Sequence, residues 1–92
     1  MPSFEMSVSR FEFDRQLQPL LDGWTADRFS DRWVLRRSEQ CVVISCKVLS
    51  PRRIGWLELQ QTAIEIIFEA FSKEEEALFL QRFWRYFQRG GG

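Results

Sequence analysis

Residues 41–49, CVVISCKVL, are the stretch that decides the fold of this 92-residue chain. Every second residue from Val42 to Val48 is apolar, which predicts a β-strand with one continuous apolar face, whereas Ser45 and Lys47 interrupt the other face. The β-branched residues favour a strand near the centre of a sheet. We therefore expect a central strand with one face under a helix and with Ile44 buried.

The segments that follow this strand are harder to interpret. Proline and the residue before it resist continuation of a strand, so residues 50–53, SPRR, are predicted to form a loop. Residues 56–71, WLELQQTAIEIIFEAF, fit two patterns. Their alternation is typical of two strands, whereas a helix would line up Glu58, Glu65 and Glu69 on one side. The clustered isoleucines favour strands, so we expect two strands here, with a helix as the alternative.

The segments before the central strand indicate a short strand or an extended arm, then a helix and a hairpin. Phe4, Met6 and Val8 alternate with polar residues, and helical spacing follows over residues 13–24, where Pro19 implies a kink or a helix that begins close before it. Gly23 is a natural C-cap. A hairpin turn is predicted at residues 30–31, and another reversal at residues 38–40.

The last helix is predicted over residues 72–89, SKEEEALFLQRFWRYFQR. Ser72 and Glu75 have the spacing of a capping box. The apolar side chains of this helix spread over about half of its circumference, whereas contact with one sheet needs a stripe of a little over about 100°. The helix therefore either fills the core alone or shares its surface between the core and an interface. The interface candidates are Phe79, Trp84 and Tyr86, with Arg82 and Arg85 at the rim.

Together these elements predict an α+β domain over residues 1–89, an antiparallel β-meander of four to five strands with an N-terminal and a C-terminal helix packed on one face. The glycines at 90–92 are expected to form a flexible tail. The sequence shows no apolar run of about 18 residues and no secretory signal. We therefore expect a small cytoplasmic protein that does not enter a membrane.

The residue types present argue against an enzyme. The chain has no histidine, which removes the commonest general base and the commonest metal ligand. It also lacks a glycine-rich phosphate loop. Cys41 and Cys46 lie five residues apart in the central strand, so they point to opposite faces and should remain free thiols. We expect no catalytic residue, no cofactor and no metal.

Two non-catalytic functions remain. The first is a protein–protein interaction or assembly module that acts through the C-terminal helix and a sheet face or edge, with a protein partner or a homodimer. The alternative is binding of RNA or single-stranded DNA, because residues 24–55 carry seven basic and three acidic residues although the whole chain has thirteen of each. The basic patch would lie within residues 32–53, with Trp33 and Trp56 stacking on bases. Its members are Arg36, Arg37, Lys47, Arg52 and Arg53.

Overall fold

The structure is a computed structural model that describes residues 2–87, and in this range it contains a five-stranded antiparallel sheet and two α-helices. The elements in chain order are β1 (Ser3–Met6), α1 (Arg10–Leu17), β2 (Thr25–Phe29), β3 (Arg32–Arg37), β4 (Gln40–Ile54), β5 (Leu57–Glu69) and α2 (Lys73–Phe87). The predicted α+β class is confirmed. The predicted glycine tail at 90–92 lies outside the described residues.

The strand order is β1-β5-β4-β3-β2, and every neighbouring pair is antiparallel. Strands β2 to β5 form the predicted meander. The N-terminal strand β1 then adds to the free side of β5, where Phe4 lies opposite Ile64. As predicted, the strand that contains residues 41–49 is the central one.

One face of the sheet carries the core. Both helices contribute apolar side chains to it, and β4 contributes Val42, Ile44 and Cys46 from alternate positions. Ile44 is fully buried, as predicted. Val48 belongs to the same apolar face, which is predicted to lie under a helix, but its side chain is 61% exposed. The reason is that Val48 lies beyond Ser45, the last residue of β4 that pairs with β3, where the sheet narrows.

Pro19 marks a change of helix type. The α-helix ends at Leu17, and a short 3₁₀ helix, Gln18–Leu21, follows with Pro19 in its first turn. Proline has no backbone N–H, but no hydrogen bond is lost at this position, because the first N–H groups of a helix have no intrahelical acceptor. Of the two predictions for Pro19, a helix that begins close before it is wrong, because α1 begins at Arg10; the departure from a regular α-helix is this change of helix type.

The predicted loop at residues 50–53 is wrong, because β4 continues to Ile54. The register with β5 shifts between Leu49 and Arg52, so the strand accommodates Pro51 in an irregularity of the bulge type. A bulge leaves a residue unpaired, and this is one of the few positions in a sheet that tolerate the missing N–H of proline.

The two strands predicted within residues 56–71 are in fact one. Strand β5 runs without a turn from Leu57, which pairs with Ile54, to Glu69, which pairs with Cys41. The turn lies earlier, at residues 55–56, where Gly55 has a φ of +62°. Glycine adopts this backbone conformation readily, and two-residue hairpin turns favour it.

A carboxylate ties α1 to the β2–β3 hairpin. Asp14 accepts hydrogen bonds from the indole Nε1 of Trp33 at 2.8 Å, from Nε of Arg10 at 2.9 Å and from Nε of Arg28 at 2.6 Å. Arg10 in turn donates to the carbonyl oxygens of Phe29 and Ser30 at the hairpin turn. Burial alone would raise the pKa of Asp14, but these three hydrogen bonds outweigh burial and lower it.

Neither α-helix within residues 2–87 is long and apolar enough to cross a membrane.

Candidate interaction surface

The capping box at the start of α2 is formed as predicted. The Ser72 hydroxyl accepts a hydrogen bond from the backbone N–H of Glu75 at 3.1 Å, and the Glu75 carboxylate accepts one from the backbone N–H of Ser72 at 2.8 Å. The second bond lowers the pKa of Glu75. The cap fixes where the helix begins and therefore which aromatic side chains face the sheet.

The aromatic side chains of α2 contact three elements rather than one. Phe83 is fully buried, with ring centroids 5.8 Å from Phe4 of β1 and 6.3 Å from Phe13 of α1. Phe79 meets Phe68 of β5 edge to face at 5.4 Å. These extra contacts explain the broad apolar arc of the helix without an additional partner.

The structure separates the five interface candidates on α2. Phe79 is buried in the core and presents little surface. Trp84 and Tyr86 are half-buried, and Trp84 packs on the Phe4 ring at 4.7 Å. Arg82 and Arg85 are exposed. The helix therefore offers a smaller free aromatic surface than its sequence indicated.

The other face of the sheet is made of the alternate residues that point away from the helices, and we call it the open face. Its central row crosses three strands, with Val34 opposite Val43 and Val43 opposite Ile67. Ile67 is 37% exposed and Val43 is partly exposed, whereas Val34 is 7% exposed and presents little surface; none of the three belongs to the core cluster beneath the helices. An apolar row thus lies on a face that the described helices leave uncovered.

In the two rows that neighbour this one, charges of opposite sign lie on opposite sides of β4. In one neighbouring row Arg36 of β3 and Glu69 of β5 flank Cys41, and in the other Arg32 and Glu65 flank a serine. The open face is therefore basic along β3 and acidic along β5. The arginines already have intrachain partners, which are exposed ion pairs with Asp27 at 3.4 Å for Arg36 and with Asp31 at 2.8 Å for Arg32. Exposed pairs of this kind are weak and exchange partners readily.

Beyond the open face, strands β4 and β5 project together as a two-stranded arm, which we define as residues 49–61. Strand β3 pairs with β4 only as far as Ser45, and β1 pairs with β5 only from Thr62, so within residues 2–87 neither outer edge of the arm has a neighbouring strand. The arm contributes to the long axis of the molecule, which measures 47 Å. At its tip the Trp56 side chain is 95% exposed.

The arm extends the apolar surface of the open face. Leu57 and Leu59 lie on the same side of β5 as Ile67, because their positions differ by even numbers. Ile54 is paired with Leu57, so it shares that side, and both are exposed. Arg52 is paired with Leu59 and also shares that side, so this face of the arm combines exposed apolar side chains with one basic residue and is continuous with the open face.

A shallow depression of about 650 Å³ lies on the open face beside this apolar surface. Three of its eight lining residues have small side chains and three have charged side chains. Its lining comprises Ser3, Phe4, Glu5, Ser45, Lys47, Ala63, Ile64 and Glu65.

The basic residues of the nucleic-acid alternative do not form one patch. Arg37 of β3 pairs with Gln40, the first residue of β4. The central carbon of its guanidinium lies 4.1 Å from the centroid of the Trp24 ring. Arg53 lies thirteen residues further along β4 than Gln40, which at about 3.3 Å per residue is a separation of about 40 Å. The expectation that Trp33 stacks on bases is wrong, because Trp33 is buried and its indole N–H is bound to Asp14.

Two features of this surface were missed in the sequence. The apolar row depends on strand register, which no local pattern in the sequence specifies. The arm could have been predicted from the sequence, since Gly55-Trp56 separates two runs of strand-forming residues in the manner of a two-residue hairpin turn.

The cysteines behave as predicted, because both are free, with Cys46 buried and Cys41 partly exposed on the open face. Within residues 2–87 no three metal-binding side chains of the His, Cys, Asp or Glu type come together.

No protein-family model matches the sequence, and no curated protein matches it.

Proposed function

We propose that this chain is a non-catalytic interaction or assembly module that binds its partner through the open face and the arm. The observation that carries the proposal is the apolar row of Val34, Val43 and Ile67, which continues onto the arm on the side that no described helix covers. Contiguous apolar patches of this kind on a protein surface usually mark a contact site.

The arm supports the same proposal. An isolated two-stranded ribbon is marginally stable in water, and unpaired strand edges invite association with other chains. The arm has both properties and also exposes Ile54 and Leu57 on one face. A bound partner would cover these apolar side chains and stabilise the ribbon.

Co-purification from host cells with two matched variants tests this function. We expect the tagged wild-type chain to retain a partner that the Ile67→Glu variant loses, because the new carboxylate would be buried against the partner without a counter-charge. The control is Leu78→Glu, which makes the same change at a 60% exposed position on α2 and should retain the partner. Identical sets of bound proteins for both variants would contradict the proposal.

A second candidate function is RNA or single-stranded DNA binding by the arm. The observation that favours it is the exposed Trp56 at the tip of a ribbon that also carries Arg52 and Arg53. An exposed indole beside guanidinium groups is the combination that stacks on bases and binds phosphates. One of these arginines, Arg53, also forms an exposed ion pair with Glu58 at 3.4 Å.

Fluorescence anisotropy with a mixed-sequence single-stranded RNA tests the second candidate. Binding by the arm predicts micromolar affinity that falls with salt, and the double variant Arg52→Ala/Arg53→Ala should reduce the salt slope by about 1.4, or about 0.7 for each arginine that no longer binds a phosphate of the single strand. Arg32→Ala/Arg36→Ala is the matched control, since it removes the same two charges from β3, which pairs with β4 far from the arm tip. Equal affinity of the double variant and the control would exclude the arm as the binding site.

A further inference from the structure

We infer that the partner of the open face is a second copy of this chain, packed face to face about a twofold axis that runs along β4. This inference rests on the proposed function, because it names the occupant of the same surface. It follows from the arrangement of charge, from the size of the face and from the continuity of the arm.

The charge pattern is self-complementary under this symmetry. Rotation about an axis parallel to the strands and above β4 exchanges the β3 side with the β5 side but preserves the position along the strands. Arg36 and Glu69 lie in one row on either side of β4. The rotation therefore places Arg36 of each chain against Glu69 of the other chain. The same operation places Arg32 against Glu65, so four oppositely charged contacts surround the interface.

The apolar row fits the same axis. Val43 lies on β4 and would meet its own copy, while Val34 of one chain would face Ile67 of the other. Two basic residues of β4 lie on the interface side near the axis and would approach their own copies, namely Arg52, which pairs with Leu59, and Lys47. The depression beside Lys47, lined by Glu5 and Glu65 among others, offers the lysine of the second copy an acidic site away from the axis.

The size of the face is what a stable dimer needs. Outside the arm, five strands that average about six residues at 3.3 Å each and are spaced about 4.8 Å apart cover about 500 Å². The two strands of the arm add about 200 Å². The total is close to the roughly 800 Å² per partner of a standard interface.

Both arms project in the same direction in this arrangement, because the axis is parallel to the strands. Their apolar faces, which carry Ile54 and Leu57, would then meet each other as an extension of the sandwich. Two packed sheets lie about 10 Å apart with their strands roughly aligned. The second copy thus covers the apolar side of the arm as well as the row on the body.

A charge-complementation experiment in sedimentation velocity tests the inference. The Arg36→Glu and Glu69→Arg variants each bring two pairs of like charges together in their own homodimer, so each alone should show a dimer Kd raised at least about tenfold over wild type. An equimolar mixture should restore association to within about threefold of wild type, since both contacts of the mixed dimer are again oppositely charged. This restoration occurs between chains, so an effect within one monomer does not produce it.

The matched controls are Arg82→Glu and Glu74→Arg, which reverse exposed charges on α2 and should leave the dimer Kd unchanged. Thermal melting at low concentration verifies that each variant is folded. Loss of the dimer in Arg82→Glu, with no effect in Arg36→Glu, would place the interface on the helix and overturn the inference.

Cys41 supplies a second, independent readout because it lies on β4 near the axis. A short bis-maleimide that spans the spacing between packed sheets should link Cys41 to its own copy, and Cys41→Ser should abolish the product. Cys46 does not compete, since it is buried and burial raises its pKa to about 11. Equal cross-linking of wild type and Cys41→Ser would contradict the arrangement.

Failure of this inference is distinguishable from failure of the proposed function. A wild-type chain that sediments as a monomer at concentrations of tens of micromolar overturns the second copy as partner. If Ile67→Glu nevertheless loses a different bound protein that Leu78→Glu retains, the open face remains an interaction surface for that protein.

Discussion

The Phe83→Ala variant is expected to lose about 3–5 kcal/mol of unfolding free energy, which is the usual range for removing a buried phenylalanine. Phe83 is fully buried, and its ring contacts aromatic side chains from β1, α1 and α2 itself. Alanine would leave a cavity at the point where three elements meet. Urea unfolding followed by tryptophan fluorescence measures the difference.

Two further variants keep this measurement interpretable. A loss of about 3–5 kcal/mol is a large share of the stability of a small domain, so Phe83→Ala can be unfolded even without urea. Phe83→Leu has a smaller expected loss and then gives a measurable free energy of unfolding. Leu78→Ala is the control on the exposed side of α2 and should change stability by less than about 0.5 kcal/mol. Similar losses for Leu78→Ala and Phe83→Ala would contradict the observed orientation of the helix.

The Asp14→Ala variant is expected to lose about 3 kcal/mol at neutral pH. The substitution leaves the buried indole N–H of Trp33 and the largely buried guanidinium of Arg10 without their shared acceptor. Asp27→Ala is the matched control, since Asp27 forms only the exposed ion pair with Arg36, and it should cost less than about 1 kcal/mol.

The loss in Asp14→Ala should depend on pH in one direction. The pKa of Asp14 is lowered in the folded state from its ordinary value of 3.8, so its carboxylate stabilises the fold above that pH. This contribution disappears as pH falls through the folded-state pKa. The difference in unfolding free energy between wild type and Asp14→Ala should therefore be constant near neutrality and shrink in acid below about pH 4. A difference that grows in acid would show that Asp14 is not bound as described.

The elements that could be predicted from the sequence are those specified by local patterns. The period of two from Val42 to Cys46 identified the central strand, and the spacing of Ser72 and Glu75 identified the start of α2. Both depend on residues that contact near neighbours in the chain. The conclusion that two helices cover one sheet face followed from these elements and is confirmed.

What could not be predicted depends on contacts between distant residues. Pro51 normally ends a strand, and only the paired strand β5 shows that a bulge absorbs it. The arc of aromatic residues on α2 is wider than one sheet contact needs, and the packing of Phe4 and Phe13 against Phe83 that accounts for it was not visible in the sequence. The open face was missed for the same reason, since its rows exist only when three strands are placed in register.

The pairing of β1 with β5 also sets the order in which the chain completes its fold. Phe4 lies opposite Ile64, sixty residues further along, whereas the two-residue turn at 55–56 joins β4 directly to β5. Closing a long loop costs more entropy than closing a short one, so we expect the β4–β5 hairpin to form early and β1 to dock last. During synthesis, β1 must therefore wait until β5 has been made before its backbone has a partner.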